Sequence, residues 1–221
     1  MVMNKILPSF TSHRSRIKGK KLEVLKHEIL PNYEITSFFG VQHFNRIHIE
    51  IGAGTGDTVS HLAKQNPDIL FIACEVYIDG ISGICNKLQS HELKNVRIYT
   101  QDARILLSQI PNNTLECLYL LFPDPWPKKK HHKRRIVTQE FMQEINRILK
   151  KEGGFLIATD HDSYKEHICQ VIYRQNYMEW TAEKPEDFTN EPLWWQKTKF
   201  QKKAEESGRV PVFFTLKPKC K

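Results

Sequence analysis

Ile47-His48-Ile49-Glu50-Ile51-Gly52-Ala53-Gly54-Thr55-Gly56-Asp57 is the stretch on which the fold turns. Its first five residues alternate isoleucine with a polar side chain, the pattern of a short strand. Three glycines at every second position follow, and an amphipathic segment, Thr58 to Gln65, takes over at once. Strand, tight turn and helix in that order place the turn at the carboxyl edge of an open sheet, where α/β proteins bind their ligands. Glycine there lets the main chain approach a nucleotide-like ligand with no Cβ in the way. A tight turn without a ligand is the competing reading. The spacing separates two cofactor classes, because a dinucleotide loop needs G-x-G-x-x-G, with its last glycine where helix packs on strand. Here Asp57 holds that place and Gly56 falls one position early, which disfavours a nicotinamide dinucleotide.

Outward from this loop, short apolar runs alternate with amphipathic segments. Leu70 to Glu75, Val96 to Thr100, Leu115 to Phe122 and Phe155 to Thr159 read as further buried strands. Asp79 to His91, Ala103 to Gln109, Val137 to Lys150 and Ser163 to Arg174 read as helices. The clearest helix carries Val137, Phe141, Ile145, Ile148 and Leu149 on one face, and Lys150, Lys151, Gly153 and Gly154 read as its stop. Strands and helices in alternation imply right-handed crossovers and a doubly wound, mainly parallel sheet. The closing run Val210 to Leu216 has no crossover helix before it and reads as a late antiparallel strand. Residues 1–30 read as a basic arm, with Leu22, Leu25 and Ile29 on one face of a helix, and 31–221 as a single domain.

Composition narrows the class. No apolar run approaches the roughly 18 residues of a membrane span, and the N-terminus lacks a signal-peptide core, so the expected location is the cytoplasm. Cys74, Cys85, Cys117, Cys169 and Cys220 form no C-x-x-C pair and are odd in number, which fits reduced thiols and predicts neither a disulfide framework nor a metal site. A net charge of +8 favours a polyanionic partner. The basic residues crowd into Arg14 to Lys26, Lys128 to Arg135, and Lys197 to Lys203 with Lys217, Lys219 and Lys221.

Two more acids follow the strands. Glu75 ends the second, where a carboxylate can accept hydrogen bonds from ribose hydroxyls, and Asp102 follows the third. Each alone is as readily a helix cap or a solvated loop residue. After the fourth strand comes Phe122-Pro123-Asp124-Pro125-Trp126-Pro127, whose three prolines in five residues stiffen the chain and hold Asp124 at the sheet edge. Trp126 offers either a stacking face for an extruded base or a cover for the core. Lys128 to Arg135 then packs six Lys or Arg and two His into eight residues. A charge run alone is more often a solvated face and can also serve nuclear import, but its place directly after the fourth strand favours a phosphate footprint. The adjacent His131 and His132 are not at metal-ligand spacing.

The segment Phe122 to Arg135 resembles the signature of the tRNA (guanine-N7)-methyltransferases. The likeness runs from about Ile47 to Phe200 through Glu50-x-Gly52-x-Gly54-x-Gly56, Glu75, Asp102-Ala103, Ala158-Thr159-Asp160 and Thr198-Lys199-Phe200. The resemblance implies a Rossmann-like, class I S-adenosylmethionine-dependent fold with a seven-stranded sheet and an antiparallel last strand. It implies a cofactor site at Glu50, Gly52, Gly54, Gly56, Glu75 and Asp102, with Glu50 meeting the charged methionine part. Asp124 corresponds to the active-site aspartate. Lys128, Asp160, Thr198, Lys199, Phe200 and Gln201 correspond to the substrate-binding positions. The family usually has Glu where this chain has Gln201, so Gln201→Glu is expected to keep or raise turnover.

The implied substrate is a guanine in the tRNA variable loop, methylated by a monomer or homodimer without a helper subunit. Guanine N7 carries a lone pair and no proton, so Asp124 is expected to act by charge and orientation rather than as a base. Asp160 could receive the guanine N1 and N2 hydrogens, and Trp126 or Phe200 the extruded ring. Other readings are a methyltransferase acting on a different RNA or a protein, a non-catalytic tRNA-binding protein of the same fold, and an NAD-dependent oxidoreductase.

Overall fold

A computed structural model describes residues 7–10, 14–197 and 199–219, without the side chains of residues 199, 200, 203 and 204. In chain order the elements are α1 (Lys20–Val24), β1 (Ile47–Ile51), α2 (Asp57–Gln65), β2 (Leu70–Cys74), α3 (Ile78–Ser90), β3 (Val96–Tyr99) and α4 (Ala103–Leu107). There follow β4 (Leu115–Leu121), α5 (Gln139–Ile148), β5 (Leu149–Thr159), α6 (Asp162–Tyr173), β6 (Met178–Trp180), α7 (Glu186–Thr189), α8 (Lys199–Glu206) and β7 (Val212–Pro218). The seven strands are ordered β3-β2-β1-β4-β5-β7-β6. β1 pairs in parallel with β2 and β4, and only β7 runs against its neighbours β5 and β6. The expected doubly wound sheet with an antiparallel last strand is therefore present.

Because side chains alternate across a strand, the two faces of the sheet build two cores. Ile47, Ile49, Ile51, Leu70, Ile72, Leu118 and Leu120 face α4, α5 and α6. Phe71, Ala73, Tyr119, Leu121 and Ala158 face α2, α3 and the buried Leu25 and Leu30 of the N-terminal segment. The α5 stripe of Phe141, Met142, Ile145 and Ile148 is buried, each side chain contributing about 1.5–3 kcal/mol. Thr138 caps that helix by accepting from Phe141 N at 3.2 Å.

The free edge of the sheet at β3 is covered by the same segment that buries Leu30. Ile98 N donates to Tyr33 O, and Ile35 N donates to Ile98 O, both at 2.9 Å. A covered edge has no row of open hydrogen-bonding groups on which another chain could pair. α1 runs on through a π-turn at Leu25–Ile29 and a 3-10 turn at Leu30–Asn32, so the expected apolar face of Leu22, Leu25 and Ile29 is formed by a mixed helix.

One boundary and three short elements depart most from the sequence reading. Lys150 to Gly154, read as a helix stop, already belongs to β5, which opens at Leu149 directly after α5 and is bulged against β4 between Leu115 and Cys117. Lysines and glycines end a helix and begin an irregular strand equally well, so local signals could not separate the two. β6 is a three-residue strand with one buried side chain, Met178, too short for a periodicity. α7 is a single turn, and α8 carries only Phe200 and Ala204 as apolar residues, too few for a periodicity to stand out.

Candidate active site

The glycine turn folds back on the end of β2. Gly52 N and Ala53 N both donate to Cys74 O, at 2.8 and 3.1 Å, and Gly54 N donates to Glu75 Oε2 at 2.7 Å. Gly56 sits at φ 74 before the first residue of α2, where a Cβ would lie 2.8 Å from Ile84 Cγ1; only glycine meets both conditions. Asp57 is taken by Lys87, whose Nζ lies 3.0 Å from Asp57 Oδ1 and donates to Thr55 O at 2.7 Å. The turn is thus stitched to α3. Gly80 on α3 completes the packing, since a Cβ there would stand 2.7 Å from Gly54 O and 2.9 Å from Glu75 Cγ. A glycine inside an otherwise amphipathic helix was the signal for this close approach.

Beside the turn lies a cavity of about 690 Å³, lined by Glu50 to Thr55, Cys74 to Tyr77, Gln101 to Ala103 and Leu120 to Asp124. That volume suits a small-molecule cofactor. Four acids predicted from sequence, Glu50, Glu75, Asp102 and Asp124, share its wall. Glu50 is buried, and its Oε2 has no hydrogen-bond partner among the described residues. Burial pushes its carboxyl up to about 8, against a backbone hydrogen bond from Val59 that pulls the other way.

An orphaned buried carboxylate oxygen facing a cavity is what a cationic ligand group would satisfy. Gly52, at φ 73, has nothing within 4 Å of where a Cβ would be, so its surface stays open to a ligand. These residues fit a nucleoside cofactor that carries positive charge.

Two of the other three acids are engaged within the protein. Glu75 accepts from Gly54 N and, through Oε1, from Tyr77 N at 2.8 Å. Burial holds its carboxyl above the usual range despite those bonds. Asp102 caps α4 by accepting from Arg104 N at 3.0 Å and also binds the Arg104 side chain at 2.6 Å. Burial would raise the Asp102 carboxyl, but the Arg104 bonds and charge outweigh it and hold it below the usual range.

The proline-rich loop leaves β4 at a strained point. Phe122 takes φ 52 although a proline follows it, and Trp126 takes φ 47 before Pro127. Left-handed backbone in bulky residues costs about 1–3 kcal/mol each and persists only when neighbours hold it. Phe122 N is held by Ala158 O at 2.8 Å. Between the two, Asp124 is exposed on the cavity wall. Trp126 turns inward: it is buried, its Nε1 donates to Ser9 O at 3.1 Å, and Arg134 lies over its ring at 4.9 Å. The ring is thus buried against Ser9, His131 and Arg134 rather than set out as an open stacking face. Arg135 leaves the phosphate footprint as well, being buried where its neighbours Lys128, Lys129 and Lys130 are exposed.

Sequence reasoning missed the N-terminal contribution. Ser9, Phe10, Arg14 and Arg16 line the cavity. Their segment is tied down where Arg104 donates to Leu7 O at 2.9 Å and where Ser15 Oγ and Arg16 N donate to Asp79 at 2.5 and 3.1 Å. Contacts across some 60 to 120 positions leave no local pattern to read.

The substrate positions are partly gathered. Lys128 is exposed at the start of the 3-10 turn Lys129–Arg134. Asp160 follows β5 as Asp124 follows the neighbouring β4, and its Oδ2 pairs with Arg209 Nε at 3.1 Å. Gln201 on α8 is fully buried and does not line the cavity. Thr198 lies outside the described residues, as do the side chains of Lys199 and Phe200. Among the described residues no group of three His, Cys, Asp or Glu could hold a metal ion, and no helix is long and apolar enough to cross a membrane.

Residues 45–213 match the model of a family described as "Putative methyltransferase". The chain is 35% identical over 205 residues to the tRNA (guanine-N(7)-)-methyltransferase of Wolbachia pipientis wMel, across 93% of this chain and 90% of that one. It is 34% identical over 204 residues to the enzyme of the same name from Zymomonas mobilis subsp. mobilis, across 90% and 88% of the two chains. Among solved structures it resembles an rRNA methylase from Streptococcus thermophilus, with a TM-score of 0.53, 12% identity and coverage of 81% and 90%. At that identity the likeness speaks for the fold alone.

Proposed function

This chain belongs to the tRNA (guanine-N(7)-)-methyltransferase family, and on that premise we propose that it methylates N7 of a guanine in the variable loop of tRNA, with Asp124 as the active-site carboxylate. The observation that carries the reading is the shared cavity, in which Asp124 stands on the same wall as the glycine turn and the orphaned Glu50. S-adenosylmethionine, when bound, supplies an electrophilic methyl on a sulfonium.

The residues divide the remaining work. Glu50 receives the positive charge of the methionine part, relieving a carboxylate that burial otherwise keeps protonated. Gly52, Gly54 and Gly56 give main-chain access to the nucleoside, Glu75 holds the turn in shape and faces the ribose, and Asp102 closes the adenine end. Asp124 holds no proton-transfer duty, because N7 attacks with a lone pair it already has. Its charge instead favours the transition state, in which positive charge spreads onto the purine.

Asp160 offers acceptors to the guanine N1 and N2 hydrogens, a pattern adenine cannot match. Its pairing with Arg209, whose side chain is 48% exposed, is weak enough to exchange for a base. Lys128 and the exposed Lys129, Lys130 and Lys133 hold adjacent phosphates. Thr198, Lys199 and Phe200, at the family's substrate-binding positions, act on the base in this reading, and Gln201, the next residue in sequence, is buried. The enzyme works in the cytoplasm, as a monomer or homodimer without a helper subunit. Incubating it with S-adenosylmethionine and unmodified tRNA, then mapping 7-methylguanosine by reduction and chain cleavage, tests reaction, base and position together. Cleavage at one variable-loop guanine supports the reading; methylation elsewhere, or none, overturns it.

A further inference from the structure

We propose that Arg135 is a positioning residue for methyl transfer, its buried guanidinium locking the loop of Asp124 to the start of the helix that follows Asp160. The proposal rests on the reading of Asp124 as the active-site carboxylate. Arg135 closes a run of cations that sequence alone assigns to phosphates, yet it is only 4% exposed. Among the described residues it forms no ion pair. Its Nε donates to Pro125 O at 2.9 Å, its Nη1 to Ser163 O at 3.0 Å and its Nη2 to Ser163 Oγ at 2.9 Å. The guanidinium carbon stands 5.1 Å from the centre of the Tyr164 ring.

A buried cation with no carboxylate beside it is costly, and burial accordingly draws its pKa down. Stability alone is poorly served by such a group, since an apolar side chain would fill the place at less cost. What arginine supplies is geometry. Its five donors lie in one rigid plane, so bonds from Nε and from both Nη atoms fix two segments relative to each other. The segments here are the residue after Asp124 and the first turn of α6, three residues beyond Asp160.

The backbone around Asp124 needs that hold. Phe122 and Trp126 both take positive φ on either side of it, and strained backbone relaxes unless several contacts over-determine it. Ala158 O anchors one end, Ser9 O anchors the other through the Trp126 indole, and Arg135 fixes the carbonyl between them. A lysine would keep the charge but could not span Pro125 and Ser163 together.

The test compares Arg135→Lys and Ser163→Ala with wild type by single-turnover methylation of tRNA, binding of S-adenosylmethionine and of tRNA, the salt dependence of tRNA binding, and thermal unfolding. For Arg135→Lys the expected result is both affinities within about twofold, an unchanged salt slope and a rate about a hundredfold lower, the scale set by a catalytic group displaced by about 1 Å. Ser163→Ala should lose less, about three- to tenfold in rate. In an Asp124→Asn background, Arg135→Lys should add little further loss, because both changes remove one function; a purely structural defect would multiply.

A wild-type rate in Arg135→Lys, a loss confined to tRNA affinity with a shallower salt slope, or full multiplication with Asp124→Asn would each overturn the proposal. If Arg135→Lys does not fold, Ser163→Ala decides, and a wild-type rate there counts against it. Wild-type protein that forms no 7-methylguanosine would instead refute the underlying function.

Discussion

Gln201 donates through one side-chain nitrogen to two carboxylates, Glu191 at 2.5 Å and Glu205 at 2.9 Å, while its oxygen accepts from Trp195 Nε1 at 2.5 Å. Trp195 in turn packs edge-on against Phe122, ring centres 6.3 Å apart, at the root of the proline-rich loop. Gln201 therefore links α8 to that loop from inside the protein, and only an amide can serve both acids and the indole at once.

A glutamate in its place would take the amide donor from Glu191 and Glu205 and add a third carboxylate to a pair that already shares Lys197, at 3.4 and 2.9 Å. These contacts predict a stability cost for Gln201→Glu, a separate matter from the expectation that turnover is kept or raised. The substitution should cost about 2 kcal/mol, or roughly 4–8 °C of melting temperature. Repulsion and burial would raise the new carboxyl, so the loss should shrink in acid and grow as pH rises through the shifted value. Thermal unfolding from pH 5 to 9 measures this, and an unchanged melting temperature at pH 8 would refute it.

Glu50 predicts a pH signature in the ligand-free protein. Its carboxyl is raised from 4.5 to about 8, so the stability it contributes is full below about 4.5 and is lost as pH rises through about 8. Glu50→Gln should remove that component, leaving the protein no less stable near pH 8. The same variant should bind S-adenosylmethionine roughly tenfold more weakly at that pH, for want of a carboxylate to meet the cation. In wild type, binding at pH 7 should release a proton, seen by calorimetry in buffers of different ionisation heat. Equal affinity of Glu50→Gln and wild type would remove Glu50 from the cofactor site.

Much of the site could be read from sequence because its signals are local. The glycine spacing, the acids Glu75 and Asp102 after their strands, and the prolines flanking Asp124 each occupy a few consecutive residues, and all four acids meet at one cavity. What escaped depends on facing or on distance along the chain. A run of cations does not say which one turns inward, and the turn at Lys129–Arg134 sends Arg135 into the interior while Lys128, Lys129 and Lys130 stay exposed. Trp126 carried two readings, and only its burial against Ser9 and Arg134 distinguishes them. The contacts of Ser9 with Trp126 and of Arg209 with Asp160 join segments whose pairing no short pattern encodes.

The exposed cations of the footprint should behave unlike Arg135. Lys129→Ala should weaken all tRNAs alike and lower the salt slope of binding by roughly 0.7–0.9 per lost phosphate contact. Arg134→Ala should also loosen Trp126, over which its guanidinium lies, and so lower the melting temperature. Binding titrations at several salt concentrations separate these effects. An unchanged slope for Lys129→Ala would count against the footprint.

Asp160 should govern which base is accepted. Asp160→Asn keeps the shape, loses the charge opposite Arg209 and presents a donor where guanine needs acceptors, so methylation should fall about tenfold or more with cofactor affinity intact. Arg209→Gln, which only frees Asp160, should leave the rate within a few-fold. Competition between guanine- and adenine-substituted tRNAs reads the effect, and undiminished preference for guanine in Asp160→Asn would exclude Asp160 from recognition.

The central claim is that the carboxylate of Asp124 acts on the transition state from the cofactor cavity. The most direct test is single-turnover methylation of tRNA by Asp124→Asn at saturating S-adenosylmethionine, beside cofactor binding measured on the same protein. The prediction is unchanged cofactor affinity with a rate about a hundredfold or more below wild type; wild-type turnover by the asparagine variant would contradict it.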